Sequence, residues 1–381
     1  MGSAEVRHGR SRLQVTLLQP RPAGSSRGQR LGPAGFALLL LMALTLAALV
    51  PAPATAQAPP GFVGTQALTD PTDEEFRRLG SAGITTYRHN IVWRYVEGHR
   101  GHYAWARYDR LFARAARKGV RVMPVLVGSP RWANRDVHHP PTTYEGRQAY
   151  YRFVGAVVKR YGPTGQLWKT QPRASAAFAA RNFQIWNEPN LPNWWNDDPD
   201  PVEYVRLLKG AAREARMASE AAEIVMAGIP ETRHPRVISI ASFLRSVYRV
   251  PGAREAFDYV AVHPYARTPT QVVDLVERTR AAVNAGGDRE TKIWVTEFGW
   301  ATGGGHPDFS VSSARQASYL RSTLRELLSR RGSLGVRGAL WYLFRDSPEL
   351  GSWQSRTGLR TASDAAKPAW RALVDIARPT R

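Results

Sequence analysis

The chain has 381 residues, 43% hydrophobic and 10% aromatic, enough to bury a sizeable core as one large α/β domain or two small ones. It contains no cysteine, which excludes a disulfide framework, thiolate metal sites and cysteine nucleophiles. The formal charge of +22 comes mainly from arginines scattered through every segment, without zinc-finger, RNP or basic-zipper patterns, so it reads as a basic soluble surface and not as a nucleic-acid interface.

Residues 1–35 carry six Arg and one Glu among many Gly, Pro and Ser, followed by the apolar run Phe36 to Val50 and then Ala54, Thr55 and Ala56. A basic region, an apolar stretch and a small-x-small site together predict a secretory signal peptide cut after Ala56, which makes 1–56 a leader and 57–381 the mature, secreted domain. An uncleaved membrane anchor is the competing reading. The run falls short of the about 20 residues that span comfortably, so stable membrane insertion is not expected.

After Gly61, short β-rich runs alternate with longer helical patterns, as in βα units around a parallel sheet. The predicted strands are Gly61 to Leu68, Ile84 to Trp93, Val120 to Val127, Asn182 to Trp186, Glu223 to Ile229, Tyr259 to His263, Lys292 to Trp300 and Gly338 to Phe344. Between them, Tyr108, Leu111, Phe112 and Ala115, and likewise Ala317, Leu320, Leu324 and Leu327, recur at helical spacing and give one apolar face each. Thr72 with Glu75, Thr268 with Gln271 and Ser313 with Gln316 have capping-box spacing, and Pro201 and Pro269 suit the first helical position. Gly83, Gly119 and Gly162 follow helical runs where a left-handed residue is wanted.

Eight such repeats predict a single (β/α)₈ TIM-barrel catalytic domain. An open doubly wound sheet is disfavoured, because Gly61-Phe62-Val63-Gly64 leads into a polar turn and not a glycine-rich phosphate loop.

In a barrel the active site lies at the C-terminal ends of the strands. The fourth strand runs into Trp186-Asn187-Glu188-Pro189-Asn190 and the seventh into Thr296-Glu297-Phe298-Gly299-Trp300, so each ends an apolar run with a carboxylate. A lone Glu at a strand end is usually a solvated loop residue. Two, aimed at one mouth, match what glycosidic cleavage needs: one group to protonate the leaving oxygen and one to support the anomeric carbon.

These two segments resemble the acid/base and nucleophile motifs of the large clan A of retaining barrel glycoside hydrolases, in particular family 39 and the cellulase-like family 5. The likeness runs in order through most of residues 61–373. It implies a cofactor-independent hydrolase of a β-linked oligo- or polysaccharide, acting by double displacement, with Glu188 as acid then base and Glu297 as nucleophile. It further implies that Asn187 bonds the sugar 2-hydroxyl, that Arg88 holds the nucleophile ionised, that His263 and Tyr265 flank it, and that Trp341, or its neighbour Tyr342, forms the floor beneath the sugar.

Two features stand apart from the resemblance. Strict alternation would send Asn187 and Glu188 to opposite faces, so the end of the fourth strand must bend. Trp132, Trp194 and Trp195 fall in loops at the same mouth and could stack on sugar C–H faces, although any single Trp is as readily packing.

Other signals carry less. Gly24-Ser25-Ser26-Arg27-Gly28 matches GxSxG but lies in the leader with no strand before it. His138 and His139 are adjacent, which does not place two ligands on one helical face, so no metal site is expected. Gly303, Gly304 and Gly305 read as a loop rim, and Arg131 and Arg345 near the mouth would suit an acidic sugar. The rival readings are a noncatalytic polysaccharide-binding or wall-associated protein on the same barrel, and an electrostatic binder of acidic polymers.

Overall fold

The computed structural model describes residues 58–378 apart from 172, 197, 233 and 348–350. The leader, its apolar run and the Gly24 to Gly28 string lie outside the described residues.

Eight parallel strands close into a barrel in chain order: β1 Val63–Gln66, β2 Thr86–Val92, β3 Arg121–Val127, β4 Asn182–Ile185, β5 Glu223–Pro230, β6 Tyr259–His263, β7 Lys292–Phe298 and β8 Val336–Tyr342. Closure is made where Thr65 of β1 pairs with Trp341 of β8. All eight predicted strands are present, with adjusted ends. Trp93 starts a short helical turn, Trp93–Val96, and β8 begins and ends two residues early.

Each strand is followed by a principal helix: α1 Asp73–Ser81, α2 Ala106–Arg117, α3 Tyr144–Tyr161, α4 Pro201–Ala218, α5 Ile240–Arg249, α6 Pro269–Ala285, α7 Ser313–Ser329 and α8 Pro368–Ala377. Barrel strands are covered on both faces, which explains why β3 is buried continuously from Val122 to Val127. Met123, Val225, Ala261, Trp294 and Leu340 fill the lumen as one cluster. Their outward neighbours Val122, Val295 and Trp341 join the helices in the main core. The apolar faces of α2 and α7 are buried as their spacing predicts.

Helix ends follow local chemistry. Thr72 Oγ1 accepts from the Glu75 N–H at 3.2 Å and Glu75 Oε2 from the Thr72 N–H at 2.6 Å, a complete capping box. Thr268 caps α6 through the Gln271 N–H, and Pro201 and Pro269 open their helices. On α7 the cap is Ser312, not Ser313, because Ser312 has the extended backbone that a cap requires and its hydroxyl accepts from the Arg315 N–H. Gly83 and Gly119 are left-handed, with φ of 77° and 72°. Gly162 is not: its φ is −67°, and glycine is needed there for space, since a Cβ would lie 2.7 Å from the Val158 carbonyl oxygen.

No helix among the described residues is long and apolar enough to cross a membrane. Thr72→Ala should lower stability by about 1 kcal/mol through loss of the cap, measured as a reduced urea midpoint with an unchanged slope.

Candidate active site

Both strand-end carboxylates reach the mouth because alternation fails locally. β4 stops at Ile185, and Trp186 and Glu188 adopt left-handed φ values of 66° and 44°. Such conformations cost roughly 1–3 kcal/mol each in a non-glycine residue. Hydrogen bonds hold the bend: the Trp186 N–H donates to Leu126 O at 3.2 Å, the Glu188 N–H to Gly228 O at 3.1 Å, and Gln184 Nε2 to Trp186 O at 3.0 Å. Asn187 and Glu188 thereby turn into the same hollow, as the alternation argument requires.

β7 solves the same problem with a bulge. Its pairing with β8 advances three residues from Val295 to Phe298 while β8 advances two, from Ala339 to Trp341. Counting by twos from the inward Trp294 would leave Glu297 facing the helices. The extra residue re-aims it inward.

Arg88, on β2, is the hub. Its side chain is only 3% exposed. Nη1 donates to Glu297 Oε1 at 2.5 Å and also to Gln66 Oε1, Nε donates to Gln184 Oε1 at 3.0 Å, and Nη2 donates to Asn187 Oδ1 at 2.7 Å. One guanidinium therefore ties β1, β2, the end of β4 and β7 together.

The other oxygen of Glu297 accepts from Tyr265 Oη at 2.9 Å. Burial pushes the Glu297 carboxyl up, but the charges of His263 and Arg88 and the hydrogen bonds from Tyr265 and Gln66 outweigh it, leaving a lowered pKa. Burial first, and the Glu297 charge second, hold the Tyr265 phenol far above its ordinary value, so it remains a donor. His263 is fully buried between the two acids: Nδ1 lies 2.7 Å from Glu188 Oε1 and Nε2 lies 3.7 Å from Glu297 Oε1. Gly228 makes room for this ring, since a Cβ there would stand 2.0 Å from His263 Nε2. Ligating atoms of Glu188, His263 and Glu297 all lie within 4.8 Å of one another. These three groups are also the set that could hold a cation, but Glu188 and His263 already engage each other.

The aromatic expectations need correction. Trp341 does not reach the hollow: it points outward, fully buried against Phe298 and Trp300, and its Nε1 donates to Thr357 O. Tyr342, one residue on and therefore inward, stands there instead, edge-on to Tyr265 with ring centroids 6.3 Å apart. Trp195 is 3% exposed and packs on Tyr204, so it offers no free face. Trp132 is half-buried in the rim, with Trp93 at its edge and the Arg100 guanidinium over its ring. Arg345 is turned away from the hollow to pair with Glu75.

Sequence reasoning passed over Asn90, which lies two residues beyond Arg88 on the same face of β2 and is exposed. Strand alternation could have found it. It also missed Phe309 and Trp353, from the loops after β7 and β8, which stack at 4.3 Å beside Tyr265. No local pattern marks them. Their loops are joined by Lys367, whose Nζ bonds Asp346 Oδ2 at 2.6 Å and Thr302 Oγ1 at 2.7 Å, with side chains of Lys367 and Asp346 only 5% and 14% exposed.

Comparisons with known proteins agree with this fold. Residues 166–351, which include Glu188 and Glu297, match the family model described as glycosyl hydrolase catalytic core. No curated protein matches the chain. Among solved structures, a family 39 glycoside hydrolase from Bacteroides cellulosilyticus is 21% identical with a TM-score of 0.62, covering 85% of this chain and 64% of that one. A monomeric β-xylosidase from Caulobacter crescentus is 18% identical at a TM-score of 0.61, over 84% of this chain and 68% of that one. A family 5 subfamily 18 protein from Bifidobacterium longum, solved with Manβ1-4GlcNAc, is 12% identical at 0.59, over 80% and 72%. The chain thus spans less than two thirds of the length of the family 39 enzyme. Over residues 166–351 it matches the glycosyl hydrolase catalytic-core model, on a barrel similar to those of the family 39 and family 5 structures.

Lys367→Met should destabilise the protein by about 3–5 kcal/mol in urea unfolding, because Asp346 would remain buried without its partner. Adding Asp346→Asn, which removes the charge but keeps the acceptor for the Gly358 N–H, should recover most of that loss.

Proposed function

We propose that the protein is a retaining glycoside hydrolase acting on a β-linked oligo- or polysaccharide, with Glu297 as nucleophile and Glu188 as acid/base. The observation that carries this reading is that an oxygen of Glu188 and an oxygen of Glu297 lie within 4.8 Å of each other across one hollow. Retaining enzymes need about 5–5.5 Å for direct attack, whereas inverting enzymes leave about 6.5–9.5 Å for a water molecule. The β-linkage is supported by the β-xylosidase and the Manβ1-4GlcNAc complex among the similar structures.

In the first step the ionised Glu297 attacks the anomeric carbon while Glu188 gives its proton to the departing oxygen, so one C–O bond forms as another breaks. Arg88 and Tyr265 keep Glu297 anionic and fix its orientation. In the second step Glu188, now a carboxylate, takes a proton from water, whose oxygen displaces Glu297 from the anomeric carbon with the original configuration restored. His263 holds Glu188 by its Nδ1 contact. Asn187 spends Oδ1 on Arg88, and in this reading its Nδ2, without a partner among the described residues, donates to the sugar 2-hydroxyl. Tyr342 takes the floor position. A noncatalytic role is not favoured, because the acids and their supporting donors are assembled together. Export of a barrel cut after Ala56 is part of the proposal and rests on the leader pattern alone.

Assays on a panel of aryl β-glycosides and defined oligosaccharides test the reading. Glu188→Ala and Glu297→Ala should each lose at least about 10³-fold in kcat/KM with unchanged circular dichroism; turnover at the parent rate by either would overturn the assignment. NMR of the first-formed anomer should show retention.

Because the charges and donors around Glu297 hold its carboxyl below the ordinary glutamate value, the acid limb of activity is expected at lower pH than an unperturbed glutamate would put it, with activity lost as Glu297 is protonated. Arg88→Met removes one of the lowering charges, so the acid limb of kcat/KM should move to higher pH. Arg88→Lys, which keeps the charge, should move it less.

A further inference from the structure

The end of the barrel opposite the carboxylates holds a second polar assembly. Arg121 opens β3, Asn182 opens β4 and Arg337 lies at the start of β8, and with Thr86, Met123 and Trp294 they line a cavity of about 240 Å³. Arg121 spends Nε and Nη2 on the carbonyls of Ala179 and Ala177, leaving Nη1 uncommitted. Arg337 places its guanidinium 5.4 Å over the Trp294 ring. Among the described residues, neither of these arginines nor the adjacent Arg181 forms an ion pair with a carboxylate. Glu223, the acid nearby, is bonded instead to Asn182 Nδ2 at 2.6 Å. Burial, and then the charges of Arg181 and Arg337, disfavour the charge on Arg121 and outweigh the opposing charge of Glu223.

The indole of Trp294 adds an independent observation. Trp93, Trp186, Trp300 and Trp341, equally buried, each donate Nε1–H to an acceptor: Glu97, Trp194 O, Ala266 O and Thr357 O. Trp294, 1% exposed, has no partner. The guanidinium groups lining the cavity, which pair with no carboxylate among the described residues, call for an anionic acceptor in the space between them. A tetrahedral oxyanion has the charge, the acceptor number and the size to meet that need, and guanidinium forks match its geometry.

We propose that this cavity binds a phosphate or sulfate group, free or as a monoester. The lumen cluster of Met123, Val225, Ala261, Trp294 and Leu340 separates it from the catalytic hollow, so binding stabilises the barrel base and leaves turnover unchanged.

Calorimetric titration of the full chain with inorganic phosphate, sulfate and glycerol 2-phosphate, at ionic strength held constant with chloride, tests this independently of any glycosidase activity. One saturable site is expected, with a matching rise in Tm of a few degrees beyond the general effect of these anions. Arg337→Met should weaken binding at least about tenfold, and Trp294→Phe should weaken it less, while Glu188→Ala should leave it unchanged. Tighter binding of glycerol 2-phosphate than of inorganic phosphate would assign the site to monoesters, and the reverse order to the free anion. A response no different from chloride, or one unchanged in both Arg337→Met and Trp294→Phe, means an adventitious ion only and overturns the proposal.

Discussion

The buried guanidinium of Arg88 is the constraint from which the carboxylate-bearing end of the barrel follows. Four of its five donors are committed to four different side chains, from β1, β4, the turn after β4 and β7. Hydrogen bonds to a charged group contribute roughly 1.5–3 kcal/mol each, which is enough to offset the roughly 1–3 kcal/mol that each left-handed residue of the β4 turn costs. A lysine could supply the charge but not the planar fork, so the same geometry could not be held by a point charge.

The two acids stand in unlike surroundings for a physical reason. Glu297 is met by a cation on one oxygen and a phenol on the other, and these donors outweigh burial and hold it ionised. Glu188 meets an imidazole and, at 15% side-chain exposure, keeps contact with the open mouth, as the proposed acid/base role requires. His263 stands between them only because Gly228 has no side chain. A glycine on β5, remote in sequence from either acid, is therefore part of the site.

The two ends of the barrel handle charge in opposite ways. At the end that bears Glu188 and Glu297 the buried cation is matched by a carboxylate, and four of its five donors find acceptors. At the base, guanidinium groups gather without carboxylate partners among the described residues, which is the asymmetry that the proposed anion would remove. Between them the lumen is filled by apolar side chains, so the ends are coupled through packing and not through a polar path.

The alternation of β and α patterns, the apolar helix faces, the capping box at Thr72 and the carboxylates after β4 and in β7 are local in the chain, and the barrel and the acid pair could be read from them. The need for a bend at Asn187-Glu188 was legible for the same reason, since two adjacent residues cannot share a face of a regular strand. What depends on register between distant strands could only be decided by the tertiary structure. The bulge in β7 and the phase of β8 determine that Glu297 and Tyr342 turn inward while Trp341 turns out. Loop packing likewise buries Trp195 and brings Phe309 and Trp353 beside Tyr265, contacts that no spacing within either loop encodes. Sequence thus determined which residues could do the chemistry, and three-dimensional pairing decided which of them face one another.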